Sequence, residues 1–242
     1  MYSKYMPFDY KIIYNIRKDM QQWRECVGGS FMGNDTIDNI DNAADRKIAD
    51  QIIHLRKPAA EQILKPYLMA QQSDPNSKLN KFITIATDEF RNKFTDACLA
   101  IERITKRPLA ANDFTFYITT FPCMSFYYDT RIFYMYDSIE GVWGMPIDGF
   151  LHEVLHYQFI HYWQFDDQSP VSKLDDDSFH YLKEALSVIL DEELKPIITL
   201  PDCSYPQQKA FRDVLHKYWK QHHDFDTLVA YGLEKLPDFI SL

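Results

Sequence analysis

Residues 146–163, PIDGFLHEVLHYQFIHYW, are predicted to form one helix that carries a His-Glu-x-x-His motif. Pro146 and Asp148 favour a helix start, Pro in the first turn and Asp as an N-cap. The helix has a core-facing side, because apolar residues recur at helical spacing at Leu151, Val154, Leu155, Phe159 and Tyr162. This segment is therefore the element around which the fold and the function are predicted.

The motif places three chemically useful side chains close together on that helix. Residues four apart lie on one face, so His152 and His156 can offer two imidazole nitrogens to one metal ion. Glu153 lies beside them, where a carboxylate can hold and deprotonate a metal-bound water. Two nitrogen ligands, an open coordination position and a base are what a zinc hydrolase needs. The competing interpretation is a surface helix whose histidines only titrate.

A catalytic zinc site has a third protein ligand as a rule, and the sequence offers three candidates downstream of the motif. His161 lies half a turn round the helix from His152, and no glycine follows the motif to redirect the chain. His180 and Glu184 share one polar stripe of a second predicted helix over 179–194. The spacing leaves open whether that stripe faces water or the motif helix.

The motif and the later stretch Lys183-Glu184-Ala185-Leu186-Ser187 together resemble the gluzincin branch of the zinc metallopeptidases. The resemblance covers about residues 112–194. In that branch a glutamate from a downstream helix is the third zinc ligand, and a small sheet precedes the active-site helix. The resemblance therefore implies a zinc ion held by His152, His156 and Glu184, with Glu153 as the general base.

The chain also departs from that family at one informative position. Gluzincins of the thermolysin kind carry an aspartate one turn after the ligand glutamate, and this chain has Val188 there. Asp191, one turn further on, is a candidate to take over the role of orienting a zinc ligand. His180 and Tyr218 are the other candidates for orienting a ligand or donating to the transition state. Spacing alone does not choose among them.

The order of predicted elements indicates an α+β fold of the zincin-like kind, mostly helical with a small sheet before the motif helix. A single domain over 1–242 is expected, with a helical N-terminal portion, 1–106, and a metallopeptidase-like core, 112–242. Helices are predicted over about 8–26, 43–55, 59–71, 78–105, 179–194, 206–222 and 227–236. Aromatic and β-branched residues predict strands over 114–121, 124–128 and 131–136, and residues 141–144 are expected to be a loop or an edge strand.

Composition narrows the classes of partner and compartment. The net charge of −9 repels phosphate backbones, so we expect no nucleic-acid partner. No secretory signal and no apolar run long enough for a membrane span is seen, and a cytoplasmic protein without a membrane partner is expected. The cysteines contain no Cys-x-x-Cys pair and are expected to be free thiols: Cys26, Cys98, Cys123 and Cys203. The oligomeric state is left open.

The function predicted from these features is a zinc-dependent metallopeptidase acting on a peptide or protein substrate. An extended peptide is expected to pair with an edge strand within 115–136 or at 142–144. The alternative is a catalytically inactive zincin-like protein with a binding or regulatory role and a structural metal site. A di-iron carboxylate protein is disfavoured, because the chain has no second Glu-x-x-His element.

Overall fold

The computed structural model describes residues 8–31, 34–40, 42–138, 145–195, 197–198 and 205–240. This part of the chain is mostly helical and contains a four-stranded mixed sheet, which confirms the α+β class. The helices are Ile16–Cys26 (α1), Ala43–Ile52 (α2), Lys57–Ser73 (α3), Lys78–Thr105 (α4), Pro146–Phe159 (α5), Asp176–Leu186 (α6), Leu190–Glu193 (α7), Lys209–His222 (α8) and Phe225–Lys235 (α9). The strands are Asp9–Tyr14 (β1), Ser30–Phe31 (β2), Asn34–Asp35 (β3), Asp113–Thr119 (β4), Ser125–Tyr127 (β5) and Ile132–Tyr136 (β6).

The chain divides into two compact units. One unit, called the site unit below, comprises Met1–Phe8, Asn92–Asn112 and Ile147–Leu242. The other, the sheet unit, comprises Asp9–Arg91 and Asp113–Pro146. Within the sheet unit, β1 from the N-terminal portion of the chain pairs along its whole length with β4.

The sheet has the strand order β1-β4-β6-β5. Strands β1, β4 and β6 are parallel, and β5 pairs antiparallel with β6 at one edge. The three strands predicted between 114 and 136 are confirmed. The helix predicted from 8 is wrong over its first part, since Asp9–Tyr14 is a strand and α1 begins only at Ile16. Residues 141–144 lie outside the described part of the chain.

The boundary between β1 and α1 is set by Asn15. Its backbone is extended, and its side-chain oxygen accepts hydrogen bonds from the backbone N–H groups of Arg17 and Lys18. This is an N-cap, which satisfies donors that a helix start otherwise leaves unpaired. Because one residue separates the strand from the helix, the apolar pattern of the strand continues into the helix and predicts a single helix.

A buried carboxylate ties α1 to the end of β4 within the sheet unit. Asp19 is completely buried and accepts hydrogen bonds from the Thr119 hydroxyl, from the N–H and hydroxyl of Thr120, and from the Tyr14 hydroxyl. Burial raises the pKa of Asp19 to about 6, although all of these donors act in the opposite direction. Trp23, one turn later, also donates its indole N–H to the Thr120 hydroxyl at 2.8 Å.

The site unit is built on aromatic stacking between its helices. Phe159 near the end of α5 stacks on Phe179 of α6, with ring centroids 5.8 Å apart and nearly parallel planes. Phe159 also stacks on Trp163, which lies in the π-helical turn Ile160–Gln164 that extends α5. Helix α9 passes close to α6, since a Cβ atom at Gly232 would lie 2.9 Å from the Leu182 side chain. The Phe159–Phe179 stack joins the motif helix to α6.

The remaining helices lie close to their predicted positions, with one change. The helix predicted over 179–194 is interrupted: α6 ends at Leu186, a 3-10 turn covers Ser187–Ile189, and α7 follows. None of the helices in the described part of the chain combines the length and the apolar character that a membrane span needs.

Replacing Asp19 with Asn is expected to flatten the dependence of stability on pH. The raised pKa of Asp19 means that the folded protein binds this proton more tightly than the unfolded chain between about pH 4 and pH 6, so stability falls as pH rises through that window. The fall is up to roughly 3 kcal/mol for a shift from 3.8 to about 6. The asparagine amide keeps an acceptor for the Thr120 N–H but does not ionise. Urea unfolding of both proteins at about pH 4.5 and pH 7 measures the difference; an equal fall in both would contradict the assignment.

Candidate metal site

Helix α5 presents the motif side chains as a compact group of metal donors. One ligand atom from each of His152, Glu153 and His156 lies within 4.8 Å of the other two. The two imidazole rings have their centroids 4.2 Å apart. The His156 side chain is buried, whereas the His152 side chain is 23% exposed. The helical spacing read from the sequence therefore produces the expected pair of histidines on one face.

Glu184 reaches this group from α6. Its Oε2 atom lies 3.3 Å from Nε2 of His152 and 3.7 Å from Nε2 of His156. Two ligand atoms bound about 2.0–2.1 Å from a tetrahedral zinc lie roughly 3.3–3.4 Å apart, so these separations suit ligands of one ion. Nε2 of His156 is buried and has no hydrogen-bond partner among the described residues. A buried polar nitrogen normally has a bonding partner, and a metal ion bound by the neighbouring ligand atoms would be such a partner.

The electrostatics of the site favour the protonation states that metal ligands need. Burial lowers the pKa of His156 to about 4, so its imidazole is neutral at neutral pH. The Lys183 charge also lowers this pKa, whereas the Glu184 charge raises it. Burial alone would raise the pKa of the Glu184 carboxyl, but His156, Lys183 and His152 hold it well below its ordinary value. Burial would also raise the pKa of the Glu153 carboxyl, but its interactions with His156, His152 and Lys183 lower it. Both carboxyls are therefore ionised.

Lys183 is the member of the site that the sequence interpretation missed. Its Nζ atom lies 2.7 Å from Oε1 of Glu184 and 3.2 Å from Nδ1 of His156, and its side chain is only 8% exposed. In the sequence it is one cation in a polar stripe, and such residues are solvated in most helices. The sequence feature that could have identified Lys183 is its position next to the candidate ligand Glu184, in a helix that is otherwise apolar nearly all round.

The other candidate residues lie in different surroundings. His161 is exposed on the π-helical turn, with its ring against Tyr162. His180 is half-buried one turn before Glu184, and desolvation, reinforced by Lys183, lowers its pKa. Tyr218 of α8 stacks on Tyr231 of α9 with ring centroids 4.1 Å apart, and its ring also lies against His222. The side chain of Asp191 lies outside the described part of the chain.

A buried arginine supports the backbone that carries Glu184. Arg212 of α8 donates from Nη1 to the carbonyl of Glu184 at 3.1 Å and to the Ser187 hydroxyl at 2.7 Å. Ser187 in turn donates to the Glu184 carbonyl. The Glu184 carbonyl also accepts from the backbone N–H of Ser187, so the Arg212 and Ser187 side chains add hydrogen bonds to the cap at the end of α6. The position of Glu184 therefore depends on α8 as well as on its own helix.

Replacing Arg212 with Met is expected to destabilise the protein by about 2–4 kcal/mol, because buried acceptors at Glu184 and Ser187 lose their charged donor. Lys209→Met, on the same helix, is the matched control. Lys209 is 78% exposed and forms a surface ion pair with Asp213, so its loss should change stability by about 0.5 kcal/mol or less. Denaturant unfolding compares the two variants. An equal effect of both substitutions would contradict the supporting role of Arg212.

No family model, curated protein or solved structure matches this chain.

Proposed function

We propose that this chain is a zinc-dependent metallopeptidase. The observation that carries the proposal is the approach of one Glu184 oxygen to the Nε2 atoms of both motif histidines, beside a buried His156 nitrogen that lacks a hydrogen-bond partner among the described residues. Three ligands of the types His, His and Glu are the set that a hydrolytic zinc site uses, with the fourth position left for water. The resemblance of the motif and of Lys183-Glu184-Ala185 to the gluzincins points to the same set.

Each residue has a distinct part in the proposed reaction. His152, His156 and Glu184 would hold the ion, which when bound activates water and polarises the substrate carbonyl. The ionised Glu153 carboxylate would accept a proton from the attacking water and then deliver it to the leaving amine. The substrate would be a peptide or protein. The pairing of an extended peptide with an edge strand, such as β5 among the described residues, stays a prediction.

The second candidate is a zincin-like protein without catalysis, and one observation favours it. Lys183 already neutralises Glu184 from within the protein, so the carboxylate has a buried partner other than a metal ion. A structural metal site is closed by four protein ligands, whereas a catalytic site keeps a position for water. Hydrolysis therefore separates the two candidates.

Removal of a ligand is expected to weaken zinc binding strongly. Metal-stripped wild-type protein should bind one zinc ion, and His156→Ala and Glu184→Ala should each lower the affinity by at least about 100-fold, since each loses one of the three ligands. His161→Ala and His180→Ala are the matched controls and should bind zinc like the wild type. Competition with a chromophoric chelator gives each affinity. If Glu184→Ala binds zinc like the wild type and His180→Ala loses zinc binding, His180 would be the third ligand in place of Glu184.

Replacing Glu153 with Gln is expected to leave zinc binding intact and to lower the rate of peptide hydrolysis by about 10²–10⁴-fold, because the amide does not accept the proton from water. A mixture of quenched fluorescent peptides supplies the assay, and the zinc content of the same samples is the control. Hydrolysis at the wild-type rate would remove Glu153 as the base. Zinc bound without hydrolysis of any peptide by the wild type would favour the non-catalytic candidate.

A further inference from the structure

Lys183 contacts two of the three residues that would hold the metal ion. Its ammonium group lies 2.7 Å from Oε1 of Glu184 and 3.2 Å from Nδ1 of His156. In many zinc sites the second nitrogen of a ligand histidine donates its hydrogen to a carboxylate or a carbonyl, which makes the ligand a better electron donor. Here the group nearest to that second nitrogen is a cation, and the Glu153 carboxylate lies further away, with Oε2 3.8 Å from Nδ1 of His156.

The contact with His156 decides which ring nitrogen carries the hydrogen. An ammonium group has three hydrogens to donate and no lone pair to accept with, so in a hydrogen bond between Lys183 and His156 the acceptor is Nδ1. In a neutral imidazole the hydrogen then lies on Nε2, the nitrogen that faces Glu184. A metal ion needs the lone pair of Nε2. The Lys183–His156 hydrogen bond and coordination by Nε2 therefore exclude each other.

The contact with Glu184 opposes the metal ion in a second way. The carboxylate is shared, with Oε1 toward Lys183 and Oε2 toward the two histidines. The ammonium neutralises charge that would attract a cation, and it repels a divalent ion held nearby. Because the Lys183 side chain is buried, solvent screens this repulsion poorly.

We propose that Lys183 is a built-in competitor of the metal ion, which weakens zinc binding by occupying Glu184 and His156. This inference rests on the proposed zinc site. Zinc would bind only by displacing the ammonium from Nδ1 of His156. The site would therefore need a higher zinc concentration for binding than the same three ligands would need without Lys183. The same contact stabilises the metal-free protein, because the buried Glu184 carboxylate keeps a cationic partner.

The test compares the full-length wild type with Lys183→Met, which keeps the apolar stem without the charge, and with Lys183→Arg, which keeps the charge. Each protein is stripped of metal, and its zinc affinity is measured by competition with a chromophoric chelator. Lys183→Met is expected to bind zinc about ten-fold or more tightly than the wild type. Lys183→Arg is expected to show no such gain.

Thermal unfolding with and without zinc supplies a second readout. Without zinc, Lys183→Met should unfold at a lower temperature than the wild type, and its rise in unfolding temperature on adding zinc should be larger. A residue with only a structural role would lower stability without tightening zinc binding. If Lys183→Met does not fold, Lys183→Gln, which keeps a donor without the charge, is expected to show the same gain in affinity.

The outcomes separate this inference from the proposed function. If the wild type binds zinc and the uncharged variants bind it equally well or more weakly, the role of Lys183 as a competitor is contradicted, whereas the proposed zinc site is supported. Measurable binding only in the uncharged variants supports the competitor but contradicts the prediction that the wild type binds one zinc ion. Absence of zinc binding in every protein overturns both.

Discussion

The Glu184 carboxylate is the group on which the site depends. One of its oxygens faces Nε2 of both motif histidines and the other binds the Lys183 ammonium, so a single side chain links α5 to α6. A buried carboxylate is costly unless charged or hydrogen-bonding partners surround it. Here the partners are a cation and two imidazoles, and together they keep the carboxyl ionised. The same partners would place it as a metal ligand.

The surrounding packing explains how that carboxylate reaches its place. Arg212 fixes the backbone at Glu184, and the Phe159–Phe179 stack sets α6 beside the motif helix. Both interactions join residues distant in sequence. The site is thus a product of helix packing in its own unit, and loosening that packing should disturb Glu184 before it disturbs the two histidines, which share one helix.

Local features of the structure could be predicted from the sequence, and features that need distant partners could not. The pairing of His152 with His156 follows from helical spacing alone, and the strands between 114 and 136 follow from their aromatic and β-branched residues. Strand β1 was mistaken for helix because its identity depends on pairing with β4, about a hundred residues away in the chain. Lys183 was missed because only the packing of α6 against α5 shows that it is buried and beside a histidine. The choice of Glu184 came from resemblance, since spacing placed it and His180 on the same stripe.

The most direct measurement is anomalous diffraction at the zinc edge from crystals grown with zinc. One peak is expected within about 2.0–2.2 Å of Nε2 of His152, Nε2 of His156 and an oxygen of Glu184, with a water completing the coordination. Lys183 should then no longer lie within hydrogen-bonding distance of Nδ1 of His156. The absence of a peak between α5 and α6, or a peak that Glu184 does not coordinate, would contradict the zinc site proposed for this protein.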